Sequence, residues 1–433
     1  TKQCVTFSRR IFNFCRFVTN LADFSRAISK CHEYHGSVRK KTIDKSSLNN
    51  SDKMRLLQGA YRIFPQISPF MRPSVAYLSQ KSTPRPKANH VWISLSNNIY
   101  QNLAIEDWIY QNMYFEDKNV LMLWRNSPCV VVGRHQNPWV ECDMATAVQQ
   151  GVSVARRNSG GGTVYHDLGN MCLTFFTHRG SYNRVENLKF IASVLRKYYD
   201  VDVNLNNRDD IVLQGEYKIS GTAAKLSGNK SYHHCTLMLD VDCNILNQVL
   251  TSRFVDINSK ATESVKSQVK NLKAVNPSLN YEDLVLALTQ EFVKDGDEEG
   301  EVVYVTEPMT DDQFPGISKI YSDIKDWNWV FGKTPKFEIK RTFAVHDKTI
   351  GWGSLSVKLT LEKGFVSECK IRHETKALSD LLLTQLNEGL TGIPFKYVEL
   401  MSIFETIQEN EELSTLDLKA LQDVQEYFGN LLR

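Results

Sequence analysis

The sequence predicts an α+β fold, and three observations carry that prediction. Short apolar runs at residues 91–95, 120–124 and 129–132 read as strands and sit beside a helix-spaced pattern at Ile99, Leu103, Ile105, Trp108 and Ile109. These elements interleave without the regular βαβ period of a doubly wound α/β sheet. Of the 433 residues, 42% are apolar and 23% charged, enough for a buried core, and no uninterrupted apolar run reaches the roughly 18 residues of a membrane span. At about 150 residues per domain, the length allows two to three domains.

The net charge of +3 is a cancellation. Residues 1–90 hold 17 Lys and Arg against 4 acidic residues, a formal +13, which leaves −10 for the rest of the chain. An apolar stripe at Phe7, Ile11, Phe14, Val18 and Leu21 marks one face of a helix, with Arg9, Arg10, Arg16 and Arg26 around it. This acid-poor amphipathic pattern is that of a mitochondrial transit peptide, with linker following to about residue 90. A basic arm for nucleic acid is the alternative, but no nucleic-acid-binding motif follows it. Nine scattered cysteines with no CxxC pair suggest neither a disulfide framework nor a zinc ribbon.

In the body of the chain, the run at residues 129–132 ends at Gly133 and opens onto Arg134 to Trp139. Next come Arg156 and Arg157, then Asn158, Ser159, Gly160, Gly161, Gly162, Thr163, Val164, Tyr165, His166 and Asp167. Three consecutive glycines allow positive φ and a concavity of backbone amides suited to an anion or a carbonyl oxygen. The preceding arginine pair could neutralise a phosphate or carboxylate. A flexible hairpin turn is the plainer reading of the same glycines. The segment is neither GxxxxGK[ST] nor GxGxxG, and Gly332, Lys333 and Thr334 read as a surface turn because Trp327 stands where a Walker loop needs its first glycine. Lys218 follows the strand-like Ile211, Val212 and Leu213, and a lysine in a half-buried strand calls for an anionic partner. His233, His234 and Cys235 point alternately to opposite faces of a strand, which favours structural roles over zinc.

Together these segments resemble the lipoate protein ligase and lipoyltransferase family, and most of all its animal mitochondrial members. The resemblance rests on residues 133–139, 156–170, 207–210, 218–223 and 232–237, is extended by 269–272 and 327–332, and runs from about residue 91 to the end. It implies a large catalytic domain at 91–335, of the biotin and lipoate protein ligase type with mixed sheets and helices, then a small C-terminal α/β domain at 336–433. In the small domain a hairpin turns at Glu362, Lys363 and Gly364, and two amphipathic helices follow, the second from about Leu416 to Leu432.

The activity implied is transfer of a lipoyl group from lipoyl-AMP to a lysine ε-amine on lipoyl carrier domains, those of 2-oxoacid dehydrogenase E2 subunits and of the glycine cleavage H protein. No tightly bound cofactor is expected, with ATP and Mg needed only by a full ligase. A monomer in the mitochondrial matrix, with neither nucleic-acid nor membrane partner, completes the expectation. By motif position, Lys218 is the catalytic residue, contacting acyl carbonyl and phosphate. Lipoyl-AMP would meet Tyr165, Arg208, Lys218, Thr236, Val265 and Ser267, together with Arg157, Ser159, Gly160, Gly161, Gly162, Thr163 and Val164. His166 and Asp167 would brace the glycine loop, and Val130, Val131 and Val132 would help wall the acyl site. Burying about seven methylenes at about 0.8 kcal/mol each contributes on the order of 5 kcal/mol to holding the chain.

Three other readings remain at this point. A cysteine-dependent acyltransferase lacks a cysteine beside the lysine motif. A full ATP-dependent ligase is weakened by Lys225, where bacterial ligases commonly carry arginine. A non-enzymatic acyl-carrier binding protein would have no use for a phosphate site.

Overall fold

The computed structural model describes residues 87–432 apart from 254–255, 266, 348–350 and 374–377, and the expected targeting segment lies outside the described residues up to Lys87. In chain order the first elements are β1 (Ala88–Ser94), α1 (Ile99–Asn112), β2 (Lys118–Trp124), β3 (Cys129–Val132), α2 (Pro138–Glu141), α3 (Met144–Gln149), β4 (Ser153–Arg156), β5 (Val164–His166) and β6 (Asn170–His178). Then follow α4 (Arg184–Tyr199), β7 (Val203–Leu205), β8 (Ile211–Leu213), β9 (Tyr217–Lys218), β10 (Thr222–Ser227), β11 (Lys230–Met238), α5 (Cys243–Val249), β12 (Ile257–Ser259), α6 (Tyr281–Lys294) and β13 (Val302–Val305). The chain closes with α7 (Ile317–Lys325), α8 (Trp327–Val330), β14 (Phe337–Asp347), β15 (Gly351–Glu362), β16 (Phe365–His373), α9 (Asp380–Leu390), α10 (Tyr397–Gln408) and α11 (Thr415–Leu432). Mixed sheets with helices between them make this an α+β protein, as the sequence predicts.

The central sheet has the order β10-β11-β6-β2-β1-β13, with β1 parallel to β2 and β13 and the remaining pairs antiparallel. Its strands are apolar on both faces because helices cover both. In β2, Leu121 and Leu123 join the core beneath α4 and α6, while Val120, Met122 and Trp124 join the core beneath α1 and α7. Alternation along a strand sends successive side chains to opposite sides, so the near-continuous apolar run is what a doubly covered strand requires. Asn98 caps α1, its Oδ1 accepting from the amides of Tyr100 and Gln101.

Two three-stranded sheets, β4-β3-β5 and β7-β8-β9, carry the segments singled out above. A fourth sheet, β12-β14-β15-β16, forms the C-terminal layer with α9, α10 and α11. Among the described residues three helices stand here, not the two expected; α9 buries Leu382, Leu386 and Leu390 at four-residue spacing, a stripe obscured in sequence by the neighbouring Leu381 and Leu383. The hairpin turn is as read, with Lys363 (φ 55°) and Gly364 (φ 79°) joining Glu362 to Phe365. One strand of this sheet, β12, comes from the middle of the chain and pairs with β14 through Ile257, Asn258 and Ser259.

Candidate active site

The glycine loop spans residues 157–163, between β4 and β5, and is built around a buried arginine. Arg157 Nε donates to Ser159 Oγ at 3.0 Å, Nη1 to the Val131 carbonyl at 2.9 Å, and Nη2 to the carbonyls of Gly160 and Gly162 at 2.7 and 2.6 Å. In a trans peptide the carbonyl and the following N–H point in opposite directions. Drawing the Gly160 and Gly162 oxygens toward Arg157 therefore turns the amides of Gly161 and Thr163 away from it, and Gly161 takes φ 87° to do so. Gly133 is required by close approach, since a Cβ there would lie 2.1 Å from the Gly161 carbonyl oxygen.

The arginine pair does not present its charge as the sequence suggested. Arg156 is fully buried and donates to the carbonyls of Gly133, Arg134, Gln136 and Val330 and to Thr334 Oγ1. Burial lowers both guanidinium groups to about 10, so both remain cations at neutral pH, spent on backbone oxygens. Arg156 thus ties the Gly133 turn to the C-terminal end of α8. Thr334 is buried as the acceptor of that arginine, so the segment read as a surface turn is a packed one.

Beneath the loop, Ser159 Oγ lies 2.7 Å from His234 Nε2, and His234 Nδ1 lies 2.9 Å from Glu106 Oε1 on α1. His233 points to the other face, with Nδ1 3.1 Å from Asn187 Nδ2 on α4, so the two histidines diverge as strand geometry demands. His166 is braced by Asn126 at 2.9 Å, and burial, with the nearby charges of Arg157 and His234, holds its pKa down at about 3. Asp167 accepts from the amides of Gly169 and Asp242. Both residues bond to segments outside the 157–163 loop, His166 to Asn126 and Asp167 to the 169 and 242 amides.

Lys218 lies in the two-residue strand β9, and its Nζ sits 2.8 Å from Asp210 Oδ1. Residues 267–270 pair with its backbone: Lys218 N donates to the Gln268 carbonyl at 2.9 Å, and Lys270 N donates back to the Lys218 carbonyl at 3.3 Å. Val265 is 68% exposed and Ser267 is exposed as well. Ser264 meets the glycine loop, its Oγ accepting from Thr163 N at 2.8 Å. Thr236 Oγ1 accepts from Gly221 N at 2.9 Å, and Gly221 also approaches Val164. Gly161 approaches Ala223 on β10. Tyr165 is buried, with its hydroxyl lacking a partner. Arg208 is exposed on the turn that carries Asp210.

The structure thus brings the loop residues, Val164, Thr236, Lys218, Ser264 and residues 267–270 into one neighbourhood, with the exposed Arg208 on the turn that carries Asp210. Sequence reasoning missed Asp210 as the partner of Lys218, and it missed Gln136, Glu141 and Ser264 as the connectors. The buried polar residues Glu106 and Asp107 on α1 were a signal for the partners of His234 and Lys225, not for these connectors. Lys225 is held by Asp107 at 3.4 Å and lies 4.6 Å over the Tyr110 ring. Cys172 and Cys235 are fully buried, and burial pushes Cys172 well up and Cys235 to about 12, which removes the thiolate that a thioester-forming enzyme needs. Val130, Val131 and Val132 are buried in β3, Val131 toward one core and its neighbours toward another.

A family model described as the lipoyl protein ligase A/B catalytic domain matches residues 98–293, and one described as the bacterial lipoate protein ligase C-terminus matches residues 334–425. The chain is 41% identical over 303 residues to the mitochondrial lipoyl amidotransferase LIPT1 of Homo sapiens, covering 70% of this chain and 81% of that one. It is 34% identical over 319 residues to lipoate-protein ligase A of Psychrobacter cryohalolentis, covering 72% and 91%. The crystal structure of P. falciparum LipL1 with lipoate aligns at a TM-score of 0.49 and 27% identity, over 79% of this chain and 99% of that one. The chain belongs to the lipoyl protein ligase A/B family and is an enzyme that attaches lipoyl groups to proteins.

Proposed function

We propose that the enzyme transfers the lipoyl group from lipoyl-AMP to the ε-amine of a lysine on lipoyl carrier domains, in the mitochondrial matrix. The observation that supports this reading is Lys218, a half-buried lysine whose ammonium is held by Asp210 and whose backbone pairs with Gln268 and Lys270, together with a glycine loop whose Gly161 amide turns away from Arg157. The acceptor amine attacks the acyl carbon of the mixed anhydride. A C–N bond forms, the acyl C–O bond to phosphate breaks, AMP departs and the amine proton is lost to solvent. Charge develops on the acyl oxygen and the leaving phosphate, and one preorganised cation near both stabilises the transition state more than the ground state. The buried Tyr165 hydroxyl supplies an unused donor that suits an acyl or phosphate oxygen.

An amine of pKa near 10.4 is neutral in only about 0.1% of molecules at pH 7.5. Desolvation in the site and the positive charge of Lys218 both favour the neutral, attacking form, so no dedicated base is assigned. The carriers proposed are the lipoyl domains of 2-oxoacid dehydrogenase E2 subunits and the glycine cleavage H protein, and the acting species is a monomer. Residues 91–433 carry a formal charge of −10, so net charge does not attract acidic carriers and recognition rests on local cations such as the exposed Arg208.

The second reading is a full ligase that activates lipoate with ATP and Mg. Lys225, standing where bacterial ligases commonly carry arginine, is the departure that favours transfer alone. Pyrophosphate release from ATP and lipoate, measured beside transfer from synthetic lipoyl adenylate, separates the two. Transfer without pyrophosphate release is expected; ATP-dependent release at a comparable rate would establish the ligase, and no transfer from the adenylate would defeat both.

A further inference from the structure

The central sheet packs an apolar core against α4 and α6, but at one end of that face a row of polar side chains crosses the strands. Asn89 on β1 pairs with Asn119 on β2, and Thr177 on β6 pairs with Ser231 on β11. Thr177 Oγ1 donates to Asn119 Oδ1 at 2.8 Å, Asn119 Nδ2 to Asn89 Oδ1 at 2.9 Å, and Asn89 Nδ2 to the Phe292 carbonyl on α6 at 3.0 Å. A side-chain amide nitrogen carries two protons. One N–H of Asn89, which is 5% exposed, and one of Asn119 therefore remain without a partner among the described residues.

This row lines a cavity of about 700 Å³ between α4 and α6, a volume that suits a small organic ligand. Phe175, Phe190 and Phe292 line it too, their rings edge to face with centroids 5.7–6.1 Å apart. Lys87 stands half-buried at its β1 end; the Nζ donates to Ser181 Oγ at 2.9 Å and, among the described residues, meets no carboxylate within ion-pair distance. The other charges in the lining are matched or exposed: Glu186 pairs with Lys189, Glu291 pairs with Lys197, and Asp295 is exposed at the C-cap of α6. Water and salt screen such an exposed carboxylate more than they screen a half-buried ammonium. Thr177 lies five residues along β6 from Cys172, the strand partner of Thr236, which places the cavity about 16 Å from the donor site at about 3.3 Å per residue.

We propose that this cavity is a second binding site, for an organic carboxylate with an apolar body, whose carboxylate meets Lys87 and the spare N–H of Asn119 and whose body packs on the three phenylalanines. The unused hydrogen-bonding capacity at the Lys87 end is mostly donor: two ammonium protons, the Ser181 hydroxyl proton and the spare amide protons all call for acceptors, and a carboxylate brings about four lone pairs. A neutral ligand would leave the half-buried ammonium uncompensated. An organic amine would set a second cation beside it and satisfy only the exposed Asp295. The site does not depend on the lipoyl-AMP reading, since none of its lining residues belongs to the glycine loop, β9 or residues 264–270.

The test titrates a ring-fluorinated phenylpropanoate into the full chain by fluorine NMR, with the matching phenethylamine as the cationic control. Saturable binding of the carboxylate is expected at concentrations up to about 10 mM, the weak end for so small a ligand. Lys87→Met should weaken it by about tenfold or more, and Asn119→Leu by about threefold, the scales of losing a charged and a neutral hydrogen-bond donor. Both variants should keep the parent's rate of lipoyl transfer, and Lys218→Ala should bind the probe as the parent does. Bound probe should slow amide hydrogen exchange over residues 186–193 and leave residues 157–163 unchanged. No binding by the parent, parental affinity in Lys87→Met, or equal affinity for the amine overturns the proposal. So does slowed exchange at 157–163 in place of 186–193, which would put the probe in the donor site. Lys87→Met, at a partly exposed position, decides the matter if Asn119→Leu does not fold.

Discussion

Ser159 and His234 are joined by a 2.7 Å hydrogen bond between Oγ and Nε2. Glu106 faces His234 Nδ1, so that nitrogen carries the proton toward the carboxylate and Nε2 accepts the serine hydroxyl. Arg157 Nε donates to the same serine oxygen. Ser159 is 1% exposed, so the arrangement anchors the glycine loop to α1 and does not offer a nucleophile to the substrate. Removing either partner should therefore cost nearly the same as removing both. A double-mutant cycle of Ser159→Ala and His234→Leu in urea should give a coupling energy of about 1 kcal/mol. Simple additivity would sink this assignment.

Lys218→Ala should lower single-turnover transfer from preformed lipoyl adenylate by roughly 10²–10³-fold, the scale of losing one preorganised donor. Near-normal transfer by that variant would defeat the role given to Lys218. Asp210→Asn keeps the lysine but loosens its placement, and about a tenfold loss of rate is expected with donor affinity largely kept. The variant carrying both changes should be no slower than Lys218→Ala alone.

Tyr165→Phe separates binding from folding. The hydroxyl has no partner in the protein, so its removal should leave the urea midpoint unchanged or slightly raised. If the hydroxyl meets the donor, adenylate affinity should fall by about 0.5–1.5 kcal/mol, read by calorimetric titration. An unchanged affinity would take Tyr165 out of the site.

What the sequence made legible were the features that local chemistry specifies. Cys129–Val132 and Ile211–Leu213 are strands at the residues read, because short apolar runs bounded by turn residues admit little else. The glycine triplet announced an unusual backbone, and Lys218 announced a need for an anion. The identity of that anion, Asp210, depended on a hairpin closing across eight residues. The use of Arg156 and Arg157 was less legible still, since an arginine in a motif gives no sign of whether its donors face a ligand or a carbonyl. Contacts such as Glu141 with Ser264 link segments 123 residues apart, and no local pattern encodes them. The pairing of β12 with the C-terminal sheet escaped for the same reason: three residues of strand are too few to show a period.

The buried histidines His233 and His166 each contribute a loss of stability as pH drops from 7 toward 5. Burial first, then the charges of His234 and Arg184, holds His233 at about 3, and His166 is held at about 3 by burial and the charges of Arg157 and His234. In the unfolded chain both return to about 6.5. Between those values the unfolded state binds more protons than the native one, so each histidine's contribution is complete above about 6.5 and is lost as pH falls through the window toward 3. Each adds a slope of up to about 1.4 kcal/mol per pH unit. Burial also depresses His90, so the wild-type slope alone does not isolate any one residue. The His233→Phe variant does, because phenylalanine keeps the stack on Phe175 and abandons an imidazole whose Nε2 has no partner. Urea unfolding at pH 7.5, 6.0 and 5.0 should show a shallower fall for His233→Phe than for the parent, by about one proton's worth at the acid end. Parallel curves for the two proteins would show that His233 is protonated in the native state as readily as in the unfolded one.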